Sequence, residues 1–143
     1  MKLKYDELNG DLDIKWYGFC GFKIHFKDKE GEHRNIYVDI FIDAPECPEA
    51  DKKECPNDCD IALLTRGQPE ASMHSPLLIS GGRKPDRTIV CSEEVGQFLF
   101  SYRNIESRRL TKLQHGGSKD FGFAKITMVF ADHSSTSTGP NNV

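Results

Sequence analysis

The segment 35–43 constrains the fold most, because its side chains are apolar at successive positions rather than at alternate ones. It carries a run of aliphatic and aromatic residues, which are Ile36, Tyr37, Val38, Ile40, Phe41 and Ile42. Apolar side chains on both faces of a strand are typical of the interior of a sheet that is covered on both sides. The pattern therefore predicts a central strand in a layered fold.

Composition places the chain among soluble globular proteins and excludes two classes of partner. The 143 residues suffice for one domain, with 37% hydrophobic and 29% charged residues. The net charge is −3 and no long basic run occurs, which argues against binding nucleic acid through a cationic surface. No apolar run approaches the roughly 20 residues that span a bilayer, so we expect no membrane partner.

The amino-terminal segment and the cysteines indicate a cytoplasmic, reducing location. Segment 1–13 is polar and lacks the apolar core of a signal peptide. The cysteines are odd in number, five in all, and reduced thiols are the default expectation without a secretion signal.

Periodicity predicts an α/β fold with a mixed β-sheet and helices on one face. In 21–27, Phe22, Ile24 and Phe26 alternate with polar residues, the period of a half-buried strand. Ser92 followed by two glutamates predicts an N-capped helix over 93–103. A second short helix is predicted over 72–80, with Pro76 either in its first turn or at a kink. Further strands are predicted over 14–18, 35–43, 60–65, 87–91, 110–114 and 121–131. We divide the chain into a polar segment 1–12, a domain 13–133 and a flexible tail 134–143.

Four short motifs follow one another in a fixed order. They are W-Y-G-F-C-G-F at 16–22, V-D-I-F at 38–41, L-T-R-G-Q-P-E-A at 64–71, and a final stretch from Q-H-G-G at 114–117 to A-D-H-S-S at 131–135. Together they resemble the metallo-β-lactamase superfamily, in particular the bacterial and archaeal metal-dependent hydrolases related to ascorbate-phosphate lactonase. Members of that family are longer. The resemblance therefore implies the amino-terminal half of an αββα sandwich, in a truncated member.

The resemblance assigns metal-site positions that this chain has mostly lost. The first motif of the family carries a histidine where Phe19 stands here. The third motif reads T-H-x-H-x-D-H, against which this chain offers Arg66, Gln68, Glu70 and Ala71. His133 keeps a family ligand position. Asp39 matches an aspartate that orients ligating histidines; without them, we expect it to pair with Arg66 or to cap a backbone turn.

The remaining donors do not suffice for a catalytic zinc, which takes about three protein ligands and a water. Only His133 and Glu70 remain in the implied positions. Our leading hypothesis is therefore a catalytically degenerate pseudoenzyme without a metal cofactor, acting as an interaction or structural subunit. The alternative is a metal-dependent hydrolase with a reduced or partner-completed site. A third hypothesis is a small-ligand binder in which Arg66 captures an anion.

Cysteines offer two further alternatives. Cys47, Cys55 and Cys59 share one loop with C-x7-C-x3-C spacing, which departs from the paired C-x2-C spacing of zinc sites. Either a structural zinc or solvated thiols would account for them. Cys20 is a candidate nucleophile with His133 as its base, although no third group is evident.

The half of a sandwich fold that the resemblance implies would leave one face of the sheet uncovered and would therefore need a partner. One face of a sheet that is apolar on both sides must be covered by something other than the helices. We expect a second copy of the chain, another protein or a rearranged terminal segment in that place.

Overall fold

The computed structural model describes residues 2–4, 11–52, 55–80 and 86–135. Its main sheet has seven strands in the order β1-β2-β3-β4-β5-β6-β7. Strands β1 to β4 pair antiparallel, and β4 to β7 pair parallel, so the predicted α/β class with a mixed sheet is confirmed. The strands are Lys2–Lys4 (β1), Asp11–Trp16 (β2), Phe22–Lys27 (β3), His33–Val38 (β4), Ile61–Leu63 (β5), Thr88–Ser92 (β6) and Leu110–Leu113 (β7).

Among the described residues, three α-helices and a short 3-10 helix interrupt the parallel strands. They are Pro69–Ser72 (α1), Ser75–Ser80 (α2), Glu93–Arg103 (α3) and the 3-10 helix Ser107–Arg109. Helix α3 has the predicted bounds, and the Ser92 side chain accepts a hydrogen bond from the Val95 amide, 3.3 Å away. Pro76 lies in the first turn of α2, where its missing N–H leaves no helical hydrogen bond unmade.

The helices cover one face of the sheet, which we call the helix side. Its core joins sheet residues to residues of α2 and α3, among them Tyr37, Ala62, Ile89, Cys91, Leu78, Val95 and Leu99. Tyr37 is 1% exposed and lies near the end of β4, the central strand that the apolar run predicted.

A hairpin covers part of the opposite face, which we call the open side. It consists of Ser118–Asp120 (β8) and Lys125–Thr127 (β9), which pair only with each other. Phe121, Phe123 and Ile126 of this segment pack against Ile36, Ile61 and Val90 of the main sheet. The strand predicted over 121–131 is confirmed only over Lys125–Thr127, which is β9. The alternation there reflects burial on the open side, and Gly122 turns the chain with a φ of 82°.

The central strand ends earlier than the sequence predicts. Strand β4 stops at Val38, because Asp39 takes a positive φ of 43° and turns the chain out of the sheet. Ile40 and Ile42 are buried in the helix-side core, so their apolar character reflects packing of a loop. At the other boundary, β2 begins at Asp11, inside the segment 1–12. Most of the predicted tail 134–143 lies outside the described residues.

Candidate functional site

A cavity of about 490 Å³ lies at the carboxyl ends of the parallel strands β5, β6 and β7. Ligands of open α/β sheets bind preferentially at this edge. Leu63, Val90 and Leu113 form its floor, and the segment from β9 to Ser135 forms its other wall. The turn after β5 contributes Thr65 and Arg66 to the lining. Two motifs that are far apart in the sequence, 64–71 and 131–135, thus meet at one site.

Asp39 anchors the turn that follows β5. Its two carboxylate oxygens accept hydrogen bonds from the amide and the hydroxyl of Thr65. Asp39 is 3% exposed, and burial raises the pKa of its carboxyl although the hydrogen bonds from Thr65 oppose the rise. The carboxylate both caps this turn and pairs with Arg66, whose Nη1 is 3.8 Å from Oδ2, as expected from the sequence.

Arg66, at one of the positions that the family resemblance assigns to a metal site, contacts two side chains of the turn before β3. Its Nη2 donates to the Sγ of Cys20 at 3.0 Å, and its guanidinium carbon lies 5.9 Å from the centroid of the Phe19 ring. The Arg66 side chain is 14% exposed. Its Nε is buried and has no hydrogen-bond partner among the described residues. The resemblance implies a metal-ligating histidine at this position, where the chain carries a fixed positive charge instead.

The tight turn before β3 brings Phe19 and Cys20 to this arginine. Phe19 has a φ of 46°, is 54% exposed and accepts a hydrogen bond through its carbonyl oxygen from the Trp16 indole. Burial raises the pKa of the Cys20 thiol, against the opposing effect of Arg66. Among the contacts of the described residues, Cys20 meets Arg66 rather than His133, so the proposed Cys20–His133 pair gains no geometric support.

The other implied positions fall on both sides of the turn. Gln68 donates to the carbonyl oxygen of Ser134 at 2.9 Å, which ties the turn to the final motif. Glu70 lies in the first turn of α1 and is half-buried, whereas Ala71 is fully buried. His133 is exposed, and its Nδ1 lies 2.6 Å from the carbonyl oxygen of Ser134.

These residues do not fit the catalytic zinc that the family resemblance implies. Phe19, Arg66 and Ala71 carry no metal-donor atom, and His133 and Glu70 alone fall short of the usual three or so protein ligands. The Arg66 guanidinium adds charge of the wrong sign for a cation. Within the part of the chain that the structure describes, no group of three His, Cys, Asp or Glu side chains is placed to hold a metal ion.

The loop that carries Cys47, Cys55 and Cys59 packs against the core, whereas one of our interpretations left its thiols in solvent. Cys47 is 3% exposed and Cys59 is 0% exposed, and both belong to the helix-side core, with Cys55 packed against it. The interpretation as solvated thiols is therefore wrong. Short apolar thiols in a core behave as small hydrophobic side chains. Burial raises the pKa values of Cys47 and Cys55, which keeps these thiols protonated.

Sequence reasoning missed the serines that close the site. The Oγ of Ser135 accepts from the Gly67 amide at 3.1 Å, and both the carbonyl and the hydroxyl of Ser134 contact Gln68. The motif at 131–135 suggested one metal ligand, His133, and these serine contacts carried no local signal. They depend on two segments that meet only in the folded chain.

Comparisons with known proteins link the chain to a class of hydrolases. The chain is 28% identical over 114 residues to UPF0173 metal-dependent hydrolases of Staphylococcus aureus strains MRSA252 and Newman. UPF0173 is a family within the metallo-β-lactamase superfamily. The match covers 80% of this chain and 47% of each relative, so the chain spans about half the length of the curated relatives it matches. No family model matches the chain.

A separate finding concerns membranes. None of the helices in the described ranges is both long enough and apolar enough to cross a bilayer.

Proposed function

We propose that this chain is a domain of the metal-dependent hydrolase type that has exchanged the metal centre for an arginine-centred site. It works by binding, as an interaction or structural subunit, without a metal-activated water. The observation that carries the proposal is the placement of the Arg66 guanidinium between Cys20 and Asp39, at positions that the family resemblance assigns to the metal centre.

Electrostatics supports this proposal. A divalent cation beside a buried guanidinium is repelled strongly, because the low dielectric of the site screens their charges poorly. Asp39 gives this arginine a counter-charge and also holds Thr65, so the same carboxylate stabilises both the turn and the cation. These contacts hold the turn through groups of the protein itself.

The partly covered open side supplies a surface for a protein partner. Trp16 is 48% exposed and pairs across the sheet with Phe22, which is also exposed. Val129 and Phe130 beyond β9 are 71% and 78% exposed. Exposed aromatic groups of this size are typical of interaction surfaces. We propose that a second chain, identical or different, packs on this side.

A measurement of the metal content of the purified protein tests whether the metal centre has been lost. We expect untagged protein purified with added zinc to retain far less than one zinc ion per chain. Inductively coupled plasma mass spectrometry would measure this content. The variant His133→Ala should leave the value unchanged, as should His33→Ala, which removes an exposed histidine of β4. A stoichiometric metal that is lost in His133→Ala and kept in His33→Ala would overturn the proposal.

The comparisons favour a second candidate, metal-dependent hydrolysis. The matching relatives are named metal-dependent hydrolases, and this chain spans about half of their length. In that case, ligands from another chain segment or subunit complete a site at His133 and Glu70. Zinc-dependent cleavage of chromogenic ester or phosphoester probes by the natively purified protein would establish it. That activity must then be lost in Glu70→Gln and kept in Glu106→Gln, which alters an exposed surface glutamate.

A further inference from the structure

The cavity at the ends of β5, β6 and β7 has the size of a small-molecule site. Its volume of about 490 Å³ falls within the ~300–1,000 Å³ of typical ligand pockets. Much of the lining is aliphatic, from Leu63, Val90, Leu113, Ile126 and Val129. Such a lining favours a ligand with an apolar body.

Arg66 places an under-satisfied cation in the wall of this cavity. A guanidinium has five N–H donors. Among the described residues, Nε of Arg66 has no partner and Nη2 reaches only the sulfur of Cys20, which is a weak acceptor. Nη1 is 3.8 Å from Asp39, too far for a hydrogen bond. Donors without acceptors are unfavourable, and an oxyanion that enters the cavity would satisfy those of Nη1 and Nη2.

The charge balance selects one class of anion. The Asp39 carboxylate already offsets part of the charge of Arg66, and its oxygens are occupied by Thr65. A dianion such as a phosphate monoester would add a second negative charge close to that carboxylate, which Coulomb repulsion disfavours. A single carboxylate matches the planar fork of the guanidinium and carries one charge.

We propose that the cavity binds a small apolar carboxylic acid, whose carboxylate takes the free donors of Arg66 and whose hydrocarbon body lies over Val90 and Leu113. This inference rests on the proposed function, because a metal centre at the same turn would compete with Arg66 for the anion.

Matched acid and amide probes test the inference on the whole chain. Isothermal titration calorimetry would compare octanoate with octanamide, and 3-phenylpropionate with its amide, on metal-free protein. We expect each acid to bind at least about tenfold more tightly than its amide, because a carboxylate makes two charge-assisted hydrogen bonds to the guanidinium, whereas the amide offers one neutral acceptor. Arg66→Gln should bring the two affinities together, whereas Arg108→Gln, at an exposed arginine, should keep the preference.

A cavity-filling variant provides a second test in case the Arg66→Gln protein does not fold. Ala131 is exposed and lines the cavity, so Ala131→Trp should fold and should weaken both acid and amide by about tenfold or more. Equal affinities of acid and amide would overturn the inference, as would an acid preference that survives Arg66→Gln or binding that is unchanged in Ala131→Trp.

The metal measurement separates the two proposals. Metal-free protein without an acid preference would overturn the carboxylate site and leave the proposed function standing. A stoichiometric metal that depends on His133 would overturn the proposed function and this inference with it.

Discussion

Burial changes the acid–base behaviour of one polar side chain, His74. His74, at the junction of α1 and α2, has an Nε2 that lies 3.4 Å from the carboxylate of Asp43, and its Nδ1 is buried without a hydrogen-bond partner among the described residues. The ring also packs against Phe41. Burial lowers the pKa of His74 below the ordinary value for histidine, and the charge of Asp43 opposes this only in part. The fold therefore favours the neutral imidazole.

This lowered pKa predicts a pH dependence of stability. The unfolded chain binds a proton to His74 near pH 6.5, whereas the folded chain does so only at lower pH, so protonation favours unfolding. The free energy of unfolding should hold above about pH 6.5 and decrease as the pH falls below it. Urea titrations between pH 5 and 8 would measure this change.

A matched pair of histidine variants isolates that effect. His74→Gln should flatten the dependence below pH 6.5, and His133→Gln, at an exposed histidine, should preserve it. An equal slope in both variants would assign the dependence to other groups.

At the scale of elements, the turn between β2 and β3 positions Phe19 and Cys20 beside Arg66. Gly18 has a φ of 91° and lies between β2 and β3, and the Tyr17 amide donates to the Gly21 carbonyl across the turn. A Cβ added to Gly18 would lie 2.7 Å from the backbone nitrogen of Cys47. This close approach connects the turn that carries Phe19 and Cys20 to the cysteine loop in the helix-side core. The turn needs glycine for its conformation and also for space.

Two glycine variants separate these requirements. Gly18→Ala and Gly31→Ala both place a side chain at positive φ, which costs roughly 1–2 kcal/mol. Only Gly18→Ala also forces a clash with backbone, since Gly31 has open space around it, so it should lose about 1–3 kcal/mol more. Chemical denaturation of both proteins would measure the difference. Equal losses would show that the loop around Cys47 yields to the new Cβ.

At the scale of the whole molecule, the hairpin β8–β9 covers part of the open side of the main sheet. Phe123 packs 6.5 Å from Phe26 between ring centroids, and the Arg34 guanidinium lies 4.7 Å above its ring. The hairpin thus buries the middle of the open side and leaves Trp16 and Phe22 exposed nearby. A rearranged terminal segment was one of the three expected covers. Whether a further chain covers the rest stays a prediction.

Removing the hairpin contact should expose the open side. Phe123→Ala should lower the free energy of unfolding by roughly 2 kcal/mol, because the side chain is half-buried there, and should increase the fluorescence of the dye ANS. Phe130→Ala, at a residue that is 78% exposed, should change stability little and serves as the control. Equal effects of the two variants would mean that the hairpin does not cover the sheet.

The sequence by itself determined the class of fold, most element positions and the absence of histidine from the turn 64–71. Strand β3 and helix α3 carry their own periodicity and cap, which are local properties of neighbouring residues. The family resemblance led us to expect that Asp39 pairs with Arg66 or caps a turn, and its carboxylate does both.

The tertiary structure alone decided which distant residues meet. Arg66 contacts Cys20 across 46 residues and Gln68 contacts Ser134 across 66. The folding of segment 118–127 onto the open side and the burial of Cys47 and Cys59 were likewise not predictable from local pattern. The physical reason is that periodicity shows which side chains avoid water, whereas the partner that buries each of them depends on where the layers meet in space.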